Sequence, residues 1–221
     1  MNLLDQPIGQ IACDIPGATA LFHQHKLDFC CGGGKPLREA AAKKQVDAAA
    51  LAQALLALAA SQTRTAVDWR TASNDALIDH ILTRYHARHR EQLPELVRLA
   101  RRVEAVHAER ADCPHGLADL LAAMEQEMES HMQKEEQVLF PMLRQTSPQA
   151  VPGPISVMRF EHDQHGETLA RLAALTHDFT PPAEACNTWR ALYAGAAQLC
   201  EDLMQHIHLE NNVLFLQRAP A

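Results

Sequence analysis

Histidine and glutamate recur in this chain at spacings suited to holding metal. HARHREQL begins at His86 and HDQHGETL at His162, and both read H-x-x-H-x-E-x-L. A second pattern, H-x-x-x-E-x-x-V-L-F, runs from His131 through Glu135 to Phe140 and again from His206 through Glu210 to Phe215. The separations nearly agree: 76 residues from His86 to His162, and 75 from His131 to His206. Two independent patterns at one offset point to a duplicated helical hairpin with a pseudo-twofold axis. His and Glu at i and i+4 leave one helix face about a turn apart. His131 with Glu135, and His206 with Glu210, are therefore expected to project into a bundle together. Glu135 lies about ten residues before the first hairpin-to-hairpin turn and His162 about nine after it, so both stand at roughly 15 Å of helical rise from it.

Buried without partners, such groups would be costly, and metal ions are good partners for them. Two ions, each with two imidazoles and both sharing two carboxylates, use six ligands. Positions then remain for an oxo or hydroxo bridge and for a small ligand. Mixed imidazole and carboxylate ligation suits iron or manganese, and ligand type alone does not exclude zinc. His89 and His165 also recur, at i+3 from His86 and His162, so spacing does not choose between the members of each pair; the one not ligating is expected to hydrogen-bond behind the ligands. Glu136, about 100° round the helix from Glu135, is expected in solvent. Glu161 is expected as an exposed charge, and Glu127 either behind His131 or solvated. His23, His25, His80, His107, His115, His177 and His208 are expected at the surface or satisfied in the core.

The elements that must position these residues are helical. Segments expected over 74–107, 114–144, 154–178 and 182–216 are joined by short, turn-rich connections, which gives an up-down-up-down bundle. Ser73 is the expected cap of the first, Pro94 its expected kink, and Pro141 should loosen the end of the second. Val138 with Leu139, and Val213 with Leu214, are expected to continue the buried face. Before the bundle, residues 1–65 read as a small helical module with short helices near 8–13, 18–25, 37–44 and 47–60, started by Pro7, Pro16 and Pro36. Cys30-Cys31-Gly32-Gly33-Gly34 interrupts them as a tight, mobile turn. Residues 62–69 read as a linker and 70–221 as the bundle domain. No β-strand is expected.

Composition agrees with an all-α protein: 47% of the 221 residues are apolar, 5% aromatic, with alanine and leucine dominant. A net charge of −7 and no basic patch argue against nucleic acid. No apolar run reaches the roughly 20 residues of a membrane span, and the first ten residues lack a basic, apolar leader. A cytoplasmic protein is the expectation. Its six cysteines then make no disulfide framework. Cys30 and Cys31 are candidate redox or metal-transfer thiols, with a buried turn that happens to contain cysteine as the competing account. Cys13, Cys113, Cys186 and Cys200 are expected to be structural or incidental.

At these residues the chain resembles the haemerythrin-like family. Within it the chain is similar to the RIC (repair of iron centres) proteins of the YtfE, ScdA and DnrN type, over essentially its whole length. The resemblance rests on the stretches DFCCGG from Asp28, YHARHREQLPEL from Tyr85, SHMQKEE from Ser130, GPISVM from Gly153, EHD from Glu161 and HIHLENN from His206. Gly32–Pro36 is richer in glycine and proline than the family pattern. The resemblance implies a four-helix bundle behind an N-terminal ScdA-type module. It implies two non-haem iron ions, oxo/hydroxo and carboxylate bridged. His86, His131, His162 and His206 would be ligands, and Glu135 and Glu210 the bridging carboxylates. The implied function is repair of iron–sulfur clusters damaged by nitrosative and oxidative stress, by iron donation to damaged iron–sulfur client proteins. NO or O2 would be small ligands, and a homodimer is possible. A di-iron enzyme reducing NO to N2O, or an NO scavenger, is the alternative. A simple carrier fits less well, because it needs no thiol module.

Overall fold

The computed structural model describes residues 2–61 and 67–216, and among these no β-strand forms. Four short helices come first: α1 (Ile8–Asp14), α2 (Ala18–Gln24), α3 (Leu37–Lys43) and α4 (Ala48–Ser61). Pro7 and Pro36 stand immediately before α1 and α3. Pro16 precedes α2 by two residues, and left-handed Gly17 caps it. Asp47 begins α4 by accepting from the Ala49 and Ala50 amides. A single antiparallel bridge between Pro7 and Pro36 ties the start of α1 to the start of α3, flanked by the bonds Ile8 N–H to Lys35 C=O and Leu37 N–H to Gln6 C=O. The linker expected at 62–69 falls largely on residues 62–66, outside the described residues.

The bundle follows. Its first arm is α5 (Asn74–Ile81) and α6 (Ala87–His107), capped by the Ser73 hydroxyl accepting from the Ala76 amide. The second is α7 (Leu117–Lys134) and α8 (Phe140–Gln145). The third is α9 (Pro152–Leu175) and the fourth α10 (Asn187–Asn212), each shorter than its expected segment because the ends are turns. α6 packs on α7, α7 on α9, α9 on α10 and α10 on α6, which closes a four-helix ring. α1 lies against α10, and α5 against α8.

Two details depart from the sequence expectation. First, α6 runs through Pro94 without a break; the departure from α geometry lies upstream, in a wide turn over Leu82–His86. A matching wide turn occupies Glu135–Leu139, where the Phe140 amide bonds to the Glu135 carbonyl. It suits Pro141, which has no N–H to continue an α ladder. Second, Val138 is 51% exposed while Val213, its counterpart, is buried at 4%. The extra residue in the wide turn rotates the downstream face, so Leu139, Phe140 and Leu143 take the core positions instead.

Two apolar clusters fill the interior. One joins Leu93–Val103, Leu117–Met132 and Trp189–Ile207 of the bundle to Ile8, Phe22, Phe29 and Leu55 of the N-terminal helices. The other gathers Leu77, Ile81, Leu139, Phe140, Ile155 and Phe215. Each fully buried aliphatic or aromatic side chain contributes about 1.5–3 kcal/mol. Along each bundle helix the recurring His and Glu residues fall where one cluster gives way to the other, so they form a polar layer sealed on both sides by apolar packing.

Candidate metal centre

All six expected residues meet in that layer. His86, Glu135, His162, His206 and Glu210 are 0% exposed and His131 is 2%. They divide into two groups, His86 with His206 and His131 with His162, and both groups share Glu135 and Glu210. His86 Nε2 lies 3.2 Å from His206 Nε2, and His131 Nε2 lies 3.2 Å from His162 Nε2. Glu135 Oε2 is 3.4 Å from His86 Nε2 and 3.5 Å from His131 Nε2. Glu210 reaches His206 through Oε1 and His162 through Oε2, each at 3.1 Å.

The far nitrogens explain this orientation. Glu136 accepts from His86 Nδ1 at 2.8 Å, and Glu161 accepts from His131 Nδ1 at 2.8 Å. Asn211 accepts from His162 Nδ1 at 3.0 Å through Oδ1, while its Nδ2 donates to the Cys30 carbonyl at 3.2 Å. These bonds place the proton on Nδ1 and leave Nε2 as a lone pair in three of the four imidazoles. In the His131–His162 pair two lone pairs therefore face each other at 3.2 Å, which is repulsive unless a cation lies between them. Neither oxygen of Glu135 has a hydrogen-bond partner, nor does Glu210 Oε2. Such orphaned buried oxygens, with opposed nitrogen lone pairs, fit a metal ion in each group.

The charges point the same way. Burial pushes the Glu135 carboxyl well above its ordinary range, and neighbouring Glu210 adds to the effect. Burial also works against the Glu210 carboxylate, yet His206, hydrogen-bonded to its other oxygen, Oε1, holds it well below that range. Burial lowers His86 to about 4 and also lowers His131, so both imidazoles are neutral and available near neutral pH. Glu161 is held at about 2, chiefly by the hydrogen bond from His131, against burial and with help from Lys134. Arg90, 2.8 Å from Glu136, and His86 keep that carboxylate ionised despite its burial.

Several expectations need correction here. Glu136 and Glu161 are not bystanders in solvent, since each grips an imidazole of the neighbouring helix. Asn211 does the same and carried no expectation at all. Adjacency was the available signal: Glu136 follows Glu135, Glu161 precedes His162 and Asn211 follows Glu210. The fourth imidazole breaks the series. His206 Nδ1 has no partner, and Tyr85, the residue beside His86, stacks on its ring at 5.5 Å and 8°. His89 and His165 are buried too, but neither ring nitrogen of His89 nor His165 Nε2 finds a partner. They pack as rings, His89 stacked on His206 and His165 edge-on to His131. Glu127 is exposed. With Lys134, Glu161, His165 and Arg171 it lines a cleft of about 490 Å³ beside His131.

The two candidate thiols are free and close to this layer. Cys30 is buried and Cys31 half-buried, with the sulfurs 3.7 Å apart. The Cys31 thiol donates to the His162 backbone carbonyl at 3.2 Å. Their turn is packed, contrary to the mobile loop expected from its glycines. Asn212 donates to the Phe29 carbonyl at 3.1 Å, and a Cβ on Gly33 would meet Asn212 Oδ1 at 2.6 Å. Cys31, burial and Asp28 together keep the Cys30 thiol protonated well above the ordinary range. Burial also raises half-buried Cys13 to about 11 and buried Cys200 to about 12, which keeps both thiols protonated.

A four-helix ring closing two imidazole pairs over two shared carboxylates defines a metal-binding bundle of the haemerythrin class, and residues 77–217 match the haemerythrin HHE cation binding domain. Residues 4–59 match ScdA_N, a domain of unknown function. Similar proteins include the iron–sulfur cluster repair protein YtfE of Citrobacter koseri, 51% identical over 97% of both chains. The proteins of the same name in an Enterobacter species and in Escherichia coli O157:H7 are each 50% identical over 97% of both chains. The chain belongs to the haemerythrin-like RIC family of iron–sulfur cluster repair proteins. A non-haem iron site comes with that membership. No helix among the described residues is long and apolar enough to cross a membrane.

Proposed function

We propose that this chain repairs iron–sulfur clusters by donating iron from a di-iron centre. His86 and His206 would hold one ion and His131 and His162 the other, with Glu135 and Glu210 bridging both. The observation that carries the assignment is the pair of imidazoles, His131 and His162, whose lone pairs are fixed toward each other at 3.2 Å by acceptors on the neighbouring helices. When bound, iron would supply an exchangeable ion with positions open to NO, O2 or an oxo or hydroxo bridge. The chain's own contribution is orientation: Glu136, Glu161 and Asn211 fix three rings, and two apolar clusters exclude water from above and below. Neutral imidazoles hold iron less tightly than a cage of thiolates would, which suits a donor. Clients would be damaged iron–sulfur proteins in the cytoplasm, with residues 1–65 carrying the thiols and 70–221 the iron. A homodimer is testable by sedimentation.

Glu135→Ala and Glu210→Ala should each abolish iron loading and, with it, recovery of a nitric-oxide-damaged cluster enzyme on adding the protein. Full iron content and unchanged recovery in both variants would sink the assignment. Anaerobic gas analysis separates donation from NO reduction: donation predicts no N2O in proportion to electrons supplied.

A further inference from the structure

Behind the bundle's polar layer lies a second group of ligand atoms that the assignment above does not use. Asp28, Cys30 and Cys31 present one carboxylate oxygen and two sulfurs within 4.8 Å of one another. From these positions we infer that Asp28, Cys30 and Cys31 form a distinct binding site for a borderline-soft divalent cation, ferrous iron in the cell.

Two of the distances within this group match those of tetrahedral ligation. With metal–sulfur bonds of about 2.3 Å, two thiolates at a tetrahedral angle stand about 3.8 Å apart, and a carboxylate oxygen at about 2.0 Å stands about 3.5 Å from each sulfur. The sulfurs here are 3.7 Å apart, and Cys30 Sγ is 3.4 Å from Asp28 Oδ1. The backbone already holds this arrangement. The Cys31 amide donates to the same Asp28 oxygen at 2.9 Å, and the Cys30 carbonyl is pinned by Asn211. Gly32 permits the tight return of the chain, since a Cβ there would lie 2.8 Å from the Asp28 carbonyl. Thiolates select borderline and soft ions over magnesium or calcium. Binding a divalent ion displaces the two thiol protons to solvent, with no change in oxidation state.

One side of the site is open. Asp28 is exposed and Cys31 half-buried, which leaves a fourth position for water or a ligand from a partner. The other side faces the bundle. The Cys31 thiol meets the His162 carbonyl, a Cβ on Gly166 of α9 would lie 3.6 Å from its sulfur, and Asn211 joins the Cys30 carbonyl to the His162 ring. An ion here would sit between the bundle and solvent. Its use as a way-station for iron rests on the donation proposed above; its existence does not.

Cobalt(II), titrated anaerobically into the reduced full-length chain, tests the site, because thiolate-to-cobalt charge transfer gives an absorption band that imidazole and carboxylate ligation lacks. The native chain should show this band and bind one equivalent more than the Cys30→Ser/Cys31→Ser variant. That variant should keep its helical circular dichroism and the equivalents that depend on Glu135 and Glu210. Asp28→Asn should keep the band and weaken the extra equivalent at least tenfold, a variant that still decides the matter if the double serine fails to fold. Equal stoichiometry with no thiolate band in the native chain would overturn the inference. A thiolate band that persists when Glu135→Ala and Glu210→Ala leave cobalt binding elsewhere unchanged would instead count against the di-iron assignment alone.

Discussion

Asn211 serves two partners at once, accepting from the His162 ring and donating to the Cys30 carbonyl. Asn211→Ala should lower metal affinity about 10–100-fold, the usual cost of losing an outer partner of a ligating histidine. Competition against a calibrated chelator measures it, and affinity equal to the native chain would show that the bond orients nothing. Tyr85 makes the contrasting case. It meets His206 by stacking, so Tyr85→Phe should load iron normally while Tyr85→Ala should load it less tightly. At this scale the sequence disclosed the six recurring side chains, because a duplicated spacing marks a face. It did not disclose Glu136, Glu161 or Asn211, because each acts on the neighbouring helix and a spacing rule sees only its own. Nor did it choose between His86 and His89 without the family resemblance, since both lie within one turn and both are buried.

Among the elements, the two arms built from α5–α6 and α7–α8 carry wide turns at His86 and Glu135, whereas α9 continues unbroken through His162 and α10 ends two residues after Glu210. The sequence repeat is thus closer than the structural one. Pro141 hinted at the second irregularity and nothing in the pattern marked the first; Val138 was misplaced because it lies within the second. The glycine turn was misjudged in the opposite direction. Gly33 serves close approach to Asn212 and Phe29, so Gly33→Ala should destabilise the fold by about 1–3 kcal/mol through overpacking. Urea denaturation of the metal-free protein checks this; a midpoint equal to the native chain's would mean the turn yields freely. The short N-terminal helices were legible nearly to the residue because proline and aspartate mark their starts.

Over the whole molecule, the polar layer makes stability depend on pH and on metal. Burial lowers His86 and His208 to about 4 and His165 to about 3, and lowers His89 and His131 as well. In the metal-free chain the unfolded state binds more protons at these five histidines below pH 6.5 than the folded state does. Stability present above pH 6.5 should therefore be lost as pH falls from 6.5 toward 4. Glu135, whose carboxyl is raised, acts with the opposite sign and offsets only part of this. Urea midpoints at pH 7 and pH 5 should differ accordingly, and an equal or higher midpoint at pH 5 would contradict the burial of neutral imidazoles. Iron, which binds only the folded chain, should raise both midpoints with concentration.

The central claim is that two ions lie side by side in one polar layer. Anomalous diffraction from crystals of the iron-loaded protein, measured at the iron edge, tests it most directly. Two peaks are predicted, one between His86 and His206 and one between His131 and His162, each within bonding reach of both Glu135 and Glu210. A single peak among these six side chains, or none there, would contradict it; a further peak at Asp28, Cys30 and Cys31 would not.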